Sequence, residues 1–124
     1  MLASSAVNWF EIPSRDLDRA TRFYEGVLGV KLTPESIGPS KLSLFPADKG
    51  QPSGCVIYAD GYRPSAESTT VYLNVRDDLA KPLAKVEKSG GKIIQQKTAL
   101  PEHMGYFAQF IDTEGNRVGF FSPH

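Results

Sequence analysis

The chain has 124 residues, enough for one modest core and too few for two independent ones. Hydrophobic residues make up 40% and charged residues 23%, the range of ordinary globular proteins, and 14 Lys+Arg balance 14 Asp+Glu. That balance, with no basic run, gives no support to a nucleic-acid or anionic-membrane partner.

"VNWFEIP" (7–13) alternates, with Val7, Trp9 and Glu11 on one face and Asn8, Phe10 and Ile12 on the other, and reads as a strand. "SRDLDRATRFYEGVLG" follows with Ser14 or Asp16 as cap, Leu17, Ala20, Phe23, Tyr24, Val27 and Leu28 at helical spacing, and Gly29 as the stop. "VKLTPE", "SKLSLFP" and "GCVIYAD" are three short strands separated by turn-forming residues. "YADGYRPSAES" (58–68) is a linker, from which Tyr62 and Arg63 are able to reach back toward a site.

The second half repeats the order: "TTVYLNV", the helix "DDLAKPLAKVEKSGG", then "KIIQQKTAL", "YFAQFID" and "RVGFFSP". Pro82 falls in the first helical turn, where its missing N–H is harmless. Leu17 and Gly29 match Leu79 and Gly91 at one offset of 62, half the chain, which signals a duplication. The expected architecture is α+β, two β-α-β-β-β modules (about 6–60 and 69–123, linker about 61–68) in one domain with a half-open barrel-like sheet. Phe10, Ile12, Val71, Leu73 and Val75 face the helices. Trp9, Glu11, Thr70, Tyr72 and Asn74 face the other way and would together line a cleft, since a sealed core would have to satisfy their polar groups.

"DLDRATRFYEGVLGVKL" after the first strand and "DTEGNRVGFF" at the end make the chain resemble the glyoxalase/bleomycin-resistance/extradiol-dioxygenase superfamily, the vicinal oxygen chelate fold. The resemblance implies two metal ligands from each half, one on its first strand and one on its last, holding an open-sided divalent ion. Matched residue by residue, the first-strand places fall on Trp9 and on Thr70 or Val71. The last-strand places fall on or beside Ile57 and on Gly119. None is an ordinary ligand for such an ion, so no metal and no other cofactor is expected, and Gly119 reads as a vacated place that leaves room in the cleft. The resemblance also implies a homodimer.

Other polar residues carry functional and structural readings side by side. Glu11, half-buried beside an indole, is a candidate acid, base or acceptor, or else pairs with an arginine or lies at the cleft rim. Gln109, Asn74 and Tyr72 are candidates to orient a ligand, or bond the backbone at strand ends. His103, beside Glu102 in the loop "LPEHMGYF", is a candidate proton shuttle or a solvated side chain. Cys55, the single cysteine, makes no internal disulfide and reads as a small packed hydrophobe. The N-terminal stretch lacks the pattern of a secretion signal, and nowhere do eighteen apolar residues run together, so a cytoplasmic location is the default. The expected function is binding of a small planar or apolar molecule in a metal-free cleft by Trp9, Thr70, Tyr72, Asn74, Gln109 and Tyr62, with Glu11 and His103 as the groups able to do chemistry. Two alternatives stand beside it: a lyase, isomerase or dioxygenase with a metal moved to Glu11, Glu102 and His103, and a structural or regulatory interaction domain.

Overall fold

The structure, a computed structural model, describes residues 6–47 and 53–124. The start of the N-terminal stretch considered above for a secretion signal lies outside the described residues. The chain runs β1 (Phe10–Pro13), α1 (Leu17–Leu28), β2 (Thr33–Ile37), β3 (Ser40–Leu44), β4 (Gly54–Tyr58), then β5 (Val71–Asn74), α2 (Ala80–Leu83), β6 (Lys92–Ala99), β7 (Tyr106–Ile111) and β8 (Arg117–Ser122). The expected α+β duplication is present as two four-stranded sheets ordered β1-β4-β3-β2 and β5-β8-β7-β6. In each, the first strand pairs parallel with the last and the remaining pairs are antiparallel.

α1 forms where its sequence signals place it. The Asp16 carboxylate accepts from the Arg19 amide at 3.0 Å, and Gly29 ends the helix at φ 67, where a side chain would be strained. Ala20, Phe23, Tyr24 and Val27 form its buried stripe. The second helix is shorter than its sequence suggests, with α-helical structure only over Ala80–Leu83. Beyond Ala84 the bonds tighten to Lys85 N–Pro82 O and Val86 N–Leu83 O, then widen to Gly91 N–Val86 O. So short a helix gains little from its own ladder. Burial of Leu79, Leu83 and Val86 holds the segment in place.

The helix-covered faces of both sheets meet in one core. Ile12 and Val56 from the first sheet, α1, and Leu73, Ala108, Phe110, Val118 and Phe120 from the second belong to a single buried cluster. The Phe23 ring of α1 lies 5.8 Å from Phe110 of β7, centroid to centroid. The opposite faces of the two sheets therefore look away from this shared core.

The turn between β7 and β8 latches the modules. Glu114 Oε1 accepts from the backbone N–H groups of Arg15 (2.8 Å) and Asp16 (2.9 Å) ahead of α1, and Arg19 Nε donates to Oε2 at 2.8 Å. Burial alone would push the Glu114 carboxyl up, but hydrogen bonds from Arg19, from the Asp16 and Arg15 amides and from Thr113 outweigh it and bring it down to about 2. Asn116 donates to the Pro13 carbonyl at 2.7 Å, and Tyr24 Oη donates to Asp112 Oδ2 at 2.6 Å.

Candidate functional site

On the helix-free face of the first sheet, strand alternation places Glu11 and, just ahead of β1, Trp9. Trp9 Nε1 donates to Glu11 Oε2 at 3.3 Å, and Tyr62 Oη, from the linker, donates to Glu11 Oε1 at 2.9 Å. Both carboxylate oxygens are thus engaged, and that bond raises the pKa of the Tyr62 hydroxyl. Glu11 is exposed rather than half-buried, because β1 is an edge strand of its sheet. Trp9 and Tyr62 keep 38% and 39% of their surface exposed, enough for a ligand to stack on either ring. Beneath them Leu42, Cys55 and Ile57 form a small apolar cluster. Burial, then the Glu11 carboxylate, pushes the Cys55 thiol up to about 12, so it stays neutral.

On the helix-free face of the second sheet, Tyr72, Gly119 and Gln109 lie in one cross-strand row. A Cβ on Gly119 would sit 2.3 Å from Tyr72 Cδ1 and 2.9 Å from the Ala108 carbonyl oxygen. Gly119 is therefore not open space, as the sequence suggests. The Tyr72 ring lies across it, and the glycine permits that close approach. Arg117 Nη1 donates to Gln109 Oε1 at 3.0 Å, and Gln109 Nε2 donates to Tyr72 Oη at 2.6 Å. Arg117 is anchored in turn by Nε on the Ala66 carbonyl at 3.0 Å. Phe107 meets Tyr72 edge-on at 6.3 Å. Asn74 is exposed at the end of β5, and Thr70 is half-buried just ahead of it.

The strand register corrects one sequence match. Ser14 N donates to Ile57 O at 2.8 Å where β1 leaves β4, and Val75 N donates to Phe121 O at 2.7 Å where β5 leaves β8. These equivalent bonds pair Ile57 with Phe121. The counterpart of Gly119, which faces Tyr72, is then Cys55, which faces Glu11. The offset of 62 misleads here because Gly91 to Gly119 is two residues longer than Gly29 to Cys55. The four places carry Trp9, Cys55, Thr70 and Gly119: an indole, a buried neutral thiol, a hydroxyl and no side chain. That donor set does not fit a divalent ion.

Glu102 and His103 are exposed in the turn between β6 and β7, at φ 55 and 60. Neither joins Glu11 in a ligand cluster, and among the described residues no three His, Cys, Asp or Glu side chains are placed to hold a metal ion. The residue that sequence reasoning missed is Arg117. Period-2 alternation puts it on the face of Gly119, which was the available signal.

The polar groups of one chain form two separate sets, Trp9–Glu11–Tyr62 and Tyr72–Gln109–Arg117, bridged along the linker from Tyr62 to Ala66. A groove of about 730 Å³ lies between the free edges of β1 and β5, with Phe10, Val27, Phe45, Tyr72, Asn74 and Val75 in its lining.

The family model described as Glyoxalase/Bleomycin resistance protein/Dioxygenase superfamily matches residues 6–120. A "Glyoxylase-like domain-containing protein" of Didymella fabae is 33% identical over 121 residues, covering 94% of this chain and 92% of that one. TnmS3, an antibiotic binding protein from Streptomyces sp. CB03234, superposes with a TM-score of 0.68 at 22% identity over 100% of both chains. Glyoxalase I from Zea mays superposes with a TM-score of 0.65 at 21% identity over 94% of this chain, which spans only 45% of the maize chain. At these identities the two superpositions show likeness of fold.

Proposed function

The chain belongs to the glyoxalase/bleomycin resistance protein/dioxygenase superfamily, and from that premise we propose that it binds a small planar or apolar molecule without a resident metal, on the sheet faces that carry Trp9 and Tyr72. The observation that carries the proposal is the replacement of the family's four ligand places by Trp9, Cys55, Thr70 and Gly119, with an aromatic ring laid over the last of them. Exposed aromatic surface beside fixed hydrogen-bonding groups is what recognition of a flat ligand requires. The antibiotic-binding relative of full matching length favours the same reading.

Glu11 holds Trp9 and Tyr62 in place as a hydrogen-bond acceptor, and Gln109 and Asn74 orient the ligand. Thr70, two residues ahead of Tyr72 and on the same side by strand alternation, adds a hydroxyl contact. His103, on its exposed turn, is the group able to exchange a proton with a bound molecule. The protein acts as a homodimer in a reducing, cytoplasmic setting, where Cys55 remains a thiol. Among the described residues no helix is long and apolar enough to cross a membrane.

The test is a thermal-shift screen of planar metabolites and drugs with and without a chelator, followed by titration on the fluorescence of Trp9, the single tryptophan. Bound ligand raises the melting temperature by mass action. Ligands that shift it equally with and without chelator, and change Trp9 emission, support the proposal. About one tightly held divalent ion per subunit by elemental analysis would overturn it.

A further inference from the structure

The hydrogen-bond chain on the second sheet has only one possible direction. A guanidinium donates and never accepts, so the Gln109 atom facing Arg117 Nη1 at 3.0 Å must be the carbonyl oxygen. That fixes the amide with its NH₂ toward Tyr72 Oη, which accepts at 2.6 Å. A phenolic oxygen that accepts from Gln109 still has its own hydrogen to donate. Tyr72 is 43% exposed with its ring held against Gly119, so the hydrogen, in the ring plane and turned away from Gln109, is open to an acceptor on a ligand.

We infer that Tyr72 is the specificity residue of this face, a pre-set donor that selects planar ligands carrying a hydrogen-bond acceptor, such as a ring carbonyl, over isosteres that carry a donor or neither. The inference rests on the proposed planar-ligand site and names the chemistry that site reads. Arg117 and Gln109 are positioning residues. Arg117, fixed by the Ala66 carbonyl at 3.0 Å, sets the polarity, and Gln109 passes it on. A relay fixed at its far end loses little freedom on binding, and an isostere unable to accept leaves the hydroxyl without a partner.

Three isosteric probes test this by equilibrium dialysis: fluorene (no polar atom), fluorenone (an acceptor) and carbazole (an N–H donor). Wild type should hold fluorenone severalfold to about tenfold more tightly than fluorene, the range of one net hydrogen bond. Tyr72→Phe should bring fluorenone down to the fluorene level while leaving fluorene unchanged. Gln109→Glu makes the neighbour an acceptor, turns the Tyr72 hydrogen inward and should make carbazole bind more tightly than fluorenone. Both variants should keep wild-type melting within a few degrees, which separates polarity from misfolding. Equal binding of fluorene and fluorenone by wild type, or an unchanged probe order in Gln109→Glu, overturns the inference and leaves the planar-ligand site standing. Failure of all three probes to bind overturns both.

Discussion

At the scale of single residues, the pair Tyr72 and Gly119 shows how a missing side chain becomes a seat for another residue's ring. In the sequence the glycine stands where the family resemblance implies a metal ligand. What fills it was not legible there, because the ring comes from a strand far away in sequence, and only the parallel β5–β8 register brings the two together. Gly119→Ala should destabilise the protein by about 1–3 kcal/mol, since the added methyl meets both the ring and the Ala108 carbonyl. Urea unfolding of Gly119→Ala, Tyr72→Ala and the double variant should show positive coupling, because removing the ring relieves part of the clash. Additive costs would mean the ring does not rest there. Cys55 gives a second prediction. Fully buried, with its thiol pushed up to about 12, it should react with a water-soluble thiol reagent only after denaturant is added. Fast labelling of the native protein would contradict its placement.

At the scale of elements, the latch from the β7–β8 turn to the start of α1 dominates. The folded Glu114 carboxyl lies at about 2 against an ordinary value of 4.5, so its stabilising contribution is fully present above about 4.5 and is lost as pH falls toward 2. Allowing for solvent around the partly exposed Arg19, that contribution is on the order of 2 kcal/mol. Glu114→Gln should lower stability by about that amount at pH 7 and flatten the acid limb between about 4.5 and 2, read by unfolding free energy against pH. An unchanged acid limb would show that other carboxylates carry it. Local pattern made α1 legible from Asp16 to Gly29, because a cap, an apolar stripe and a stop lie within one stretch. The same reasoning overestimated α2, whose ends depend on burial of Leu79, Leu83 and Val86. It also missed Glu114, whose partners Arg15 and Asp16 lie 99 and 98 residues away. Trp9 and Glu11 were legible as neighbours on one strand face, and the linker's Tyr62 as a group able to reach them. The Arg117–Gln109–Tyr72 relay was not, since its polarity depends on which atoms meet in space.

At the scale of the whole molecule, the shared core turns the Trp9 face and the Tyr72 face of one chain away from each other. A homodimer that sets the first face of one chain against the second face of its partner would build two composite sites. Sedimentation should therefore give a dimer. Mixing Trp9→Ala with Tyr72→Ala, each defective in binding, should restore roughly a quarter of the sites after subunit exchange, since each mixed dimer holds one intact pair of faces. No recovery would mean that each site lies within one chain. The latch also bears on how the chain comes to fold. The groups that complete the entry to α1 and hold the end of β1, Glu114 and Asn116, are made about a hundred residues after the strand and helix they secure. During synthesis, the first module therefore waits with the Arg15 and Asp16 amides lacking the Glu114 acceptor and its core lacking Phe110 and Phe120 until the second has left the ribosome. The duplicated halves mature together, and a nascent chain stalled between them would expose the apolar stripe of α1 to chaperones or to other chains.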